Sequence, residues 1–481
     1  MAQGPQSRTT ILAALRRSSV ALAVAALAAC GGGGGGGGGT TDASGGASAG
    51  GTAPPPASTA TPVAAGSPIS GGGSVGSTGS TGTASGPTAA SSTTKAAAFQ
   101  RTDFQVNTTT AGSQSGGVVA HLANGGYVAV WDSRAMEFGG SEIRMQRFDA
   151  QGQPLGAEQL VAAQGNYAQV AAFADGRFLV TWRLSPFAYE VDAHGAMFDA
   201  QGVQIGSTMQ LGSGFNSFQP RPLALPDGTF MLAIDTDDGK YSAPLGLVQH
   251  FAADGTALGQ ATRLESQLSV QTGSYSPNSA GQARMALLAD GRIATAWVAS
   301  GTNSSELRLS LFDGQAQSLG AATVLDARSM PITAPSIAAL PDGGYAVTWA
   351  TGASGQPQTA FLEVFDADGT SRARRQLAAS AAGQSGQITP RVTTLADGSL
   401  EVAWDSMWWD GTLSRRVLWT QHVDRNGAPL TDAQQVDAQG WTTDNLPSDS
   451  LDLAPTTGSG FLLLYGRWTA RDSWEVRAGA H

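Results

Sequence analysis

Residues 122–131 read LANGGYVAVW, an Asn-Gly turn between two runs of alternating apolar residues. Such a pair between such runs is the strongest short-range hairpin signal in a sequence, because Asn, Asp and Gly tolerate the positive φ of tight hairpin turns. We expect both central residues of the turn to adopt positive φ. The stretch therefore predicts two antiparallel strands, here called A and B, joined by a tight turn.

The same unit returns six times further along the chain, with 51 to 63 residues between successive turns. The later turns begin at Asp175, Asp227, Asp290, Asp342, Asp397 and Gly458. The seventh residue after the start of each turn is large and apolar, and these residues are Trp131, Trp182, Ile234, Trp297, Trp349, Trp404 and Tyr465. A constant offset in seven copies indicates a structural repeat. We expect these side chains to pack between repeats rather than to contact a ligand.

A second turn follows the first hairpin and adds strands C and D to the repeat. It reads RFDAQG at residues 147–152 and has counterparts at 197–202, 250–255, 364–369 and 423–427. Four strands per repeat, with no helical periodicity after Phe99, are typical of propeller blades. The sequence predicts an all-β fold, a single seven-bladed β-propeller of four-stranded antiparallel blades.

The seventh copy lacks a strand D, since the chain ends at His481 soon after the strand that carries Trp474 and Val476. Residues 99–107 precede the first strand A and contain FQVN at 104–107. We expect this N-terminal segment to supply the missing strand, because a ring closed in this way leaves no open sheet edge. The propeller is therefore predicted to span residues 99–481.

Residues 1–29 contain arginines up to Arg17 and a short apolar run, and together with the cysteine that follows they end in the sequence LAAC at 27–30. This pattern resembles the bacterial lipoprotein signal, in which the cysteine is acylated and becomes the first residue of the mature chain. The resemblance implies lipidation of Cys30 and attachment to the outer membrane of a bacterial cell envelope, facing either the periplasm or the outside. An ordinary secretory signal with an incidental cysteine is the alternative.

Residues 30–98 are predicted to form a disordered tether between that lipid and the propeller. They include nine consecutive glycines and are otherwise rich in Ser, Thr, Ala and Pro, and all 34 aromatic residues of the chain lie at or after Phe99. A segment of this composition cannot bury enough apolar surface to offset the entropy of ordering it.

Charge and cysteine content exclude several function classes. The net charge is -10, and Lys95 and Lys240 are the only lysines, so the chain has no basic stripe for nucleic acid. A single cysteine excludes structural disulfides and thiolate zinc sites. The five histidines lack metal-ligand spacing and the Asp-rich turns are incomplete calcium loops, so we predict no metal and no cofactor. The expected oligomeric state is a monomer.

The repeat also resembles a known group of proteins. Its pattern, L-A-D-G-x-x-x-V-T-W followed by F-D-A-x-G, is similar to the repeats of bacterial secreted and cell-surface β-propellers, which are adhesin-like or toxin-like proteins. The resemblance implies architecture far more than activity. Ile234 in place of Trp in the third repeat and the missing Asp-Gly in the seventh depart from the pattern.

If strand A lines the axis, the tight A–B and C–D turns emerge on one face, and the B–C loops and blade-to-blade connections emerge on the other, the variable face. We predict a ligand-binding site on the variable face, because variable loops on a rigid scaffold commonly carry binding function. The candidate residues are Phe138, Phe187, Tyr189, Tyr241, Trp408, Trp409, Trp441 and Trp468, with Trp408 and Trp409 favoured. Packing of these aromatic side chains within the loops is the alternative.

Two functions fit the sequence. The first is a membrane-anchored, non-catalytic binding or scaffolding lipoprotein that contacts protein or glycan through the variable face. The second is a glycan hydrolase or lyase with carboxylates such as Glu190 and Asp410 over the central opening. Two carboxylates within about 10 Å at the axis, one of them with a raised pKa, would favour the enzyme.

Overall fold

The computed structural model describes residues 103–134, 140–187, 190–214, 218–236, 245–265, 279–301, 304–352, 358–377, 389–409, 414–436, 441–442, 451–458, 460–470 and 473–480. The chain divides into two units, Met1–Ala89 and Ala90–His481, and every described residue belongs to the second. Cys30, Phe138, Tyr189, Tyr241 and Asp410 lie outside the described residues. Within the described part of the chain, no helix has the length and apolar character that a membrane span requires.

Seven four-stranded antiparallel blades form a ring, so the protein is an all-β, seven-bladed β-propeller as predicted, and one parallel bridge, between Ser113 and Trp474, joins blades 7 and 1 into a continuous sheet. The first strand, β1, is Phe104–Gln105. Blade 1 contains β2 (Ser113–His121), β3 (Tyr127–Arg134), β4 (Glu142–Phe148) and β5 (Gln159–Ala162). Blade 2 contains β6 (Asn166–Ala172), β7 (Phe178–Phe187), β8 (Glu190–Phe198) and β9 (Gln204–Gly214). Blade 3 contains β10 (Phe218–Ala224), β11 (Phe230–Thr236), β12 (Leu245–Phe251) and β13 (Ala257–Arg263).

The remaining blades follow the same order of strands A to D. Blade 4 contains β14 (Ser279–Leu287), β15 (Ile293–Ser300), β16 (Ser305–Phe312) and β17 (Thr323–Arg328). Blade 5 contains β18 (Ile332–Ala339), β19 (Tyr345–Thr351), β20 (Thr359–Phe365) and β21 (Ser371–Gln376). Blade 6 contains β22 (Arg391–Thr394), β23 (Leu400–Trp409), β24 (Ser414–Val423) and β25 (Gln434–Gln435), and β26 (Trp441–Thr442) also pairs with β24. Blade 7 contains β27 (Leu451–Pro455), β28 (Phe461–Ala470), β29 (Ser473–Ala480) and the N-terminal β1.

The N-terminal strand closes the ring in the way the sequence predicts. β1 pairs antiparallel with β29, with Phe104 opposite Ala478. The ladder continues past β1, because the Val106 N–H donates to the Val476 carbonyl over 2.8 Å and the Val476 N–H donates to Asn107 Oδ1 over 2.9 Å. Phe104 and Val106 are both buried in the core of blades 7 and 1. The two ends of the propeller chain therefore hold each other in one blade.

The A–B turns have the predicted position but not the predicted backbone conformation. In the first turn only Gly125 has positive φ, at 83°, and its N–H donates to the Leu122 carbonyl over 2.9 Å. This is a type I turn followed by a left-handed glycine. Asn124 contributes through its side chain, whose Oδ1 accepts the Gly126 N–H over 3.0 Å. The expectation that both central residues take positive φ was wrong, because this side-chain cap supports the type I geometry.

The repeated large residues of strand B form the core between blades, as predicted. Trp131, Trp297, Trp349 and Trp404 are among the largest fully buried side chains, and Ile234 and Tyr465 are also buried. Trp349 packs with residues of blade 4, and its indole N–H donates to Asp326 Oδ2 of that blade over 3.0 Å. These tryptophans therefore fill the seams between blades and are structural.

Strand A carries a β-bulge at one repeat position in five blades. The bulge leaves backbone N–H groups without a partner in the ladder. In blade 2 these belong to Tyr167 and Ala168, and Asp132 of blade 1 accepts both, over 2.8 and 3.1 Å. In blade 4, Asp235 of blade 3 accepts the Gln282 N–H over 3.0 Å. Asp132 and Asp235 each directly follow the large apolar residue of strand B. Each carboxylate therefore connects its blade to the next one by hydrogen bonds.

Candidate functional site

The strands A surround a central channel with a volume of about 450 Å³. Residues of β2, β6, β14, β18, β22 and β27 line it, and these are the strands A of all blades except blade 3. Strand A therefore lines the axis, which is the condition on which the assignment of the variable face depends. This geometry places the A–B and C–D turns at one end of the ring and the B–C hairpins at the other.

Apart from Thr393 and Thr394, the polar residues of the channel lining come from one repeat position, the sixth residue before the start of each A–B turn. From blade 1 to blade 7 the position is occupied by Val118, Gln169, Arg221, Arg284, Ser336, Arg391 and Asp452. All of them except Arg221 line the channel. Arg221 is buried instead, where its guanidinium contacts Asp235 over 3.4 Å and Gln219 over 2.6 Å. The axis is thus a polar ring built from equivalent positions.

Several members of this ring bind the neighbouring strand A. Asp452 Oδ2 of blade 7 accepts the Val119 N–H of blade 1 over 2.9 Å. Ser336 Oγ of blade 5 accepts the Val392 N–H of blade 6 over 3.2 Å, which is the equivalent contact two seams away. These side chains therefore hold blades together at the axis as well as facing the channel.

Arg284 and Arg391 bring two positive charges to this ring. Arg284 Nη1 reaches from blade 4 to Gln169 Oε1 of blade 2, over 3.3 Å. Burial raises the pKa of Asp452, while the Val119 N–H and the positive charges of Arg391 and Arg284 oppose that rise. Among the described residues that line the channel, Asp452 is the one carboxylate. The described lining therefore offers an acid with a raised pKa, two cations and neutral hydrogen-bonding groups.

Of the eight aromatic residues predicted for the variable face, Phe138, Tyr189 and Tyr241 lie outside the described residues. The structure describes only the backbone of the other five. Phe187 ends β7 and is paired with Glu190, and Trp468 of β28 is paired with Trp474. Trp408 and Trp409 occupy the last two registers of β23, opposite Arg415 and Ser414. All of these positions lie at the B–C ends of their hairpins.

Blade 6 brings three of the candidates together in a small sheet at its B–C end. Arg415 of β24 is paired with Trp408 on one side and with Thr442 on the other, and Arg416 is paired with Trp441. β26, which carries Trp441, also contacts β28 of blade 7. The backbone therefore groups Trp408, Trp409 and Trp441 at the end of blade 6, beside the strand of Trp468, whereas Phe187 lies in blade 2.

Reasoning from the sequence missed the channel residues Arg284, Arg391 and Asp452. A signal for them exists, because the sixth residue before the start of the turn is polar in six of the seven repeats. It also missed Glu401, which stands four residues after the start of its turn, where the six other repeats carry apolar residues.

No protein-family model matches the chain, and no curated protein is similar to it in sequence. Solved structures are similar in fold. A protein of unknown function from Dyadobacter fermentans has a TM-score of 0.46 at 12% identity, over 79% of this chain and 98% of that one. An α-L-arabinofuranosidase from Fusarium graminearum has a TM-score of 0.43 at 12% identity, over 65% and 92%. An α-L-arabinanase from Penicillium chrysogenum has a TM-score of 0.42 at 10% identity, over 79% and 98%.

Proposed function

We propose that this chain is a non-catalytic binding or scaffolding lipoprotein of a bacterial cell envelope, which contacts protein or glycan through its variable face. In this proposal Cys30 carries the lipid that anchors the protein in the outer membrane, residues 31–98 form the tether, and the B–C ends of blades 6 and 7 form the centre of the contact surface.

The observation that carries the proposal is the arrangement of the B–C hairpins. β7, β23 and β28 each have ten residues, against seven in β11 and β19, the equivalent strands of blades 3 and 5. The extra registers lie at the B–C ends and contain aromatic and charged residues, as in the pairs Trp408 with Arg415 and Phe187 with Glu190. Trp and Arg are the residue types that most often dominate binding energy at interfaces.

A rigid support for such hairpins favours binding. The buried tryptophans, the bulge-capping aspartates and the ring of strands A fix the blades relative to one another. The blades that carry the hairpins therefore need little rearrangement when a partner binds, which raises affinity. The negative net charge favours a partner or glycan surface that is neutral or positively charged.

Lipidation of Cys30 is tested by metabolic labelling with a fatty-acid analogue. We expect the wild-type chain to be labelled and the Cys30→Ala variant to be unlabelled. Equal labelling of both would contradict the anchor. The tether sets the working distance, because a Gly-rich coil of this length has a root-mean-square reach of roughly 45 Å.

Binding at the variable face is tested with the Trp408→Ala/Trp409→Ala double variant. The probes are a panel of neutral and acidic oligosaccharides and solubilised envelope protein from the same cells. Leu430→Ala is the matched control, because Leu430 is an exposed apolar residue, 55% accessible, near the C–D turn of the same blade at the opposite end. We expect binding to weaken by about 2 kcal/mol or more, roughly thirtyfold, in the double variant and to be unchanged in the control.

One observation favours the second function, a glycan hydrolase or lyase. Asp452 lies in the channel and has a raised pKa, which is the property of a general acid. An Asp452→Asn variant tests this alternative. If wild-type protein cleaves any oligosaccharide of the panel and the variant does not, the chain is an enzyme and the non-catalytic proposal fails.

A further inference from the structure

A second cavity, of about 280 Å³, lies in the seam between blades 6 and 7. It is formed by the start of β23, the end of β24, the C–D region of blade 6 and Phe461 at the start of β28. This position is near the A–B and C–D turns. It is therefore at the opposite end of the blade from Trp408 and Trp409, and it is separate from the proposed contact surface.

Glu401 of β23 is the unusual residue of this cavity. The equivalent position in the other six blades is apolar and buried in every case, and the residues there are Val128, Leu179, Met231, Ala294, Ala346 and Leu462. Glu401 is only 3% exposed. Burying a carboxyl group costs free energy that an apolar residue would not cost. The blade fold therefore does not need a glutamate here, and a departure from the repeat pattern of this kind marks a functional site.

Two neighbouring side chains hold the carboxyl group in place. Glu401 is paired across the strands with His422, and its Oε2 lies 3.2 Å from His422 Nδ1. The Thr420 hydroxyl also donates a hydrogen bond to Glu401. Burial raises the pKa of Glu401 to about 8, and the bond from Thr420 opposes the rise. At neutral pH the carboxyl group is thus protonated and can both donate and accept.

The other polar groups of the cavity have the same double capacity. Thr431, Gln434 and Gln435 line it together with His422, and each hydroxyl or carboxamide can both donate and accept hydrogen bonds. No lysine or arginine is among the described lining residues. Phe461 adds an aromatic wall. The lining therefore suits a small, uncharged ligand with several hydroxyl groups, and the volume is below that of typical drug-sized pockets.

We propose that the cavity between blades 6 and 7 is a binding site for a neutral monosaccharide unit, held by Glu401, His422, Thr431, Gln434 and Gln435. The sugar hydroxyls exchange hydrogen bonds with these groups, and an apolar face of the sugar ring packs against Phe461. Binding needs no bond to be made or broken.

The full chain is tested with a panel of neutral aldopentoses and aldohexoses, by saturation-transfer NMR and calorimetric titration. The decisive variant is Glu401→Leu, because leucine occupies this position in blades 2 and 7 and is therefore compatible with the fold. We expect at least one sugar to bind the wild-type chain saturably in the millimolar range. We expect Glu401→Leu to bind it at least tenfold more weakly at an unchanged melting temperature or a higher one.

Three results would overturn the proposal. They are the absence of saturable binding by every sugar of the panel, equal binding by wild type and Glu401→Leu, and saturable binding of Ca²⁺ but of no sugar. The Trp408→Ala/Trp409→Ala variant separates this proposal from the first one. It is expected to bind the monosaccharide as the wild type does, and loss of sugar binding in that variant would place the sugar on the variable face instead.

Discussion

The carboxylate of Asp132 in blade 1 accepts the backbone N–H of Tyr167 in blade 2 over 2.8 Å. The bulged backbone places Tyr167 at a φ of 57° and turns its N–H toward the preceding blade. The same carboxylate accepts the Ala168 N–H, so one buried side chain satisfies two amides that the sheet leaves unpaired. The seam is thus held by specific polar contacts as well as by the tryptophan core.

Asp132→Ala is expected to lower the free energy of unfolding by about 2 to 4 kcal/mol, because two buried amides lose a charged acceptor. Chemical denaturation measures the change. Asp132→Asn keeps one acceptor oxygen and serves as the matched variant, with a smaller expected loss. A loss below about 0.5 kcal/mol in Asp132→Ala would show that water replaces the carboxylate and that these two hydrogen bonds contribute little to stability.

Closure of the ring predicts different results for two N-terminal deletions. Removing residues 99–107 takes away β1, the Val106 and Asn107 bonds to β29, and the acceptor of the Tyr465 hydroxyl, Asp103 Oδ1 at 2.6 Å. We expect aggregation or a loss of several kcal/mol, since an unpaired sheet edge is exposed. Removing residues 31–90 is expected to leave the melting temperature nearly unchanged. Similar behaviour of the two deletions would contradict the closure model.

Trp349→Ala tests the role of the repeated tryptophans. The indole is fully buried between blades 4 and 5, its N–H donates to Asp326, and the Arg374 guanidinium lies 4.8 Å from its ring centre. Truncation is expected to cost about 3 to 5 kcal/mol, because it leaves a cavity in the seam. Equilibrium unfolding measures the loss. A loss under about 1 kcal/mol would mean that the seam collapses around the smaller residue.

Glu401 predicts a particular pH dependence of stability. Its pKa in the folded protein is about 8, above the ordinary value of 4.5, so between these values the folded state holds a proton that the unfolded chain has released. Stability from this group is therefore present below about pH 4.5 and is lost as the pH rises to about 8, with a slope of up to about 1.4 kcal/mol per pH unit. Urea unfolding between pH 5 and 9 should show a flatter profile for Glu401→Leu. Identical profiles would show that the carboxyl group is charged when folded.

The constant offset between turn and tryptophan was sufficient to predict seven blades, and the absence of a strand D from the seventh repeat was sufficient to predict the closing strand, because both follow from local periodicity. The conformation at Asn124 was predicted wrongly, since a turn capped by its side chain cannot be distinguished in sequence from a turn with two positive φ values. The hydrogen bonds from Tyr167 and Ala168 to Asp132 were not predicted, because they depend on a β-bulge in the next blade.

The channel and the Glu401 cavity were missed for a related reason. Asp452 and Glu401 acquire their raised pKa values from burial between blades, and burial of this kind depends on tertiary packing rather than on sequence spacing. The grouping of Trp441 with Trp408 depends on the pairing of β26 with β24, across a long connection. The function of the aromatic residues remains a prediction.

The most direct test of the proposed function is binding by the Trp408→Ala/Trp409→Ala variant after its stability has been measured. We expect each substitution to change the free energy of unfolding by no more than about 0.5 kcal/mol, as for surface residues, and the pair to weaken binding to the oligosaccharide or envelope-protein probe by about 2 kcal/mol or more. Leu430→Ala should match the wild type in both measurements. A double variant that unfolds as readily as Trp349→Ala, or that binds every probe as the wild type does, would contradict the variable face as the binding surface.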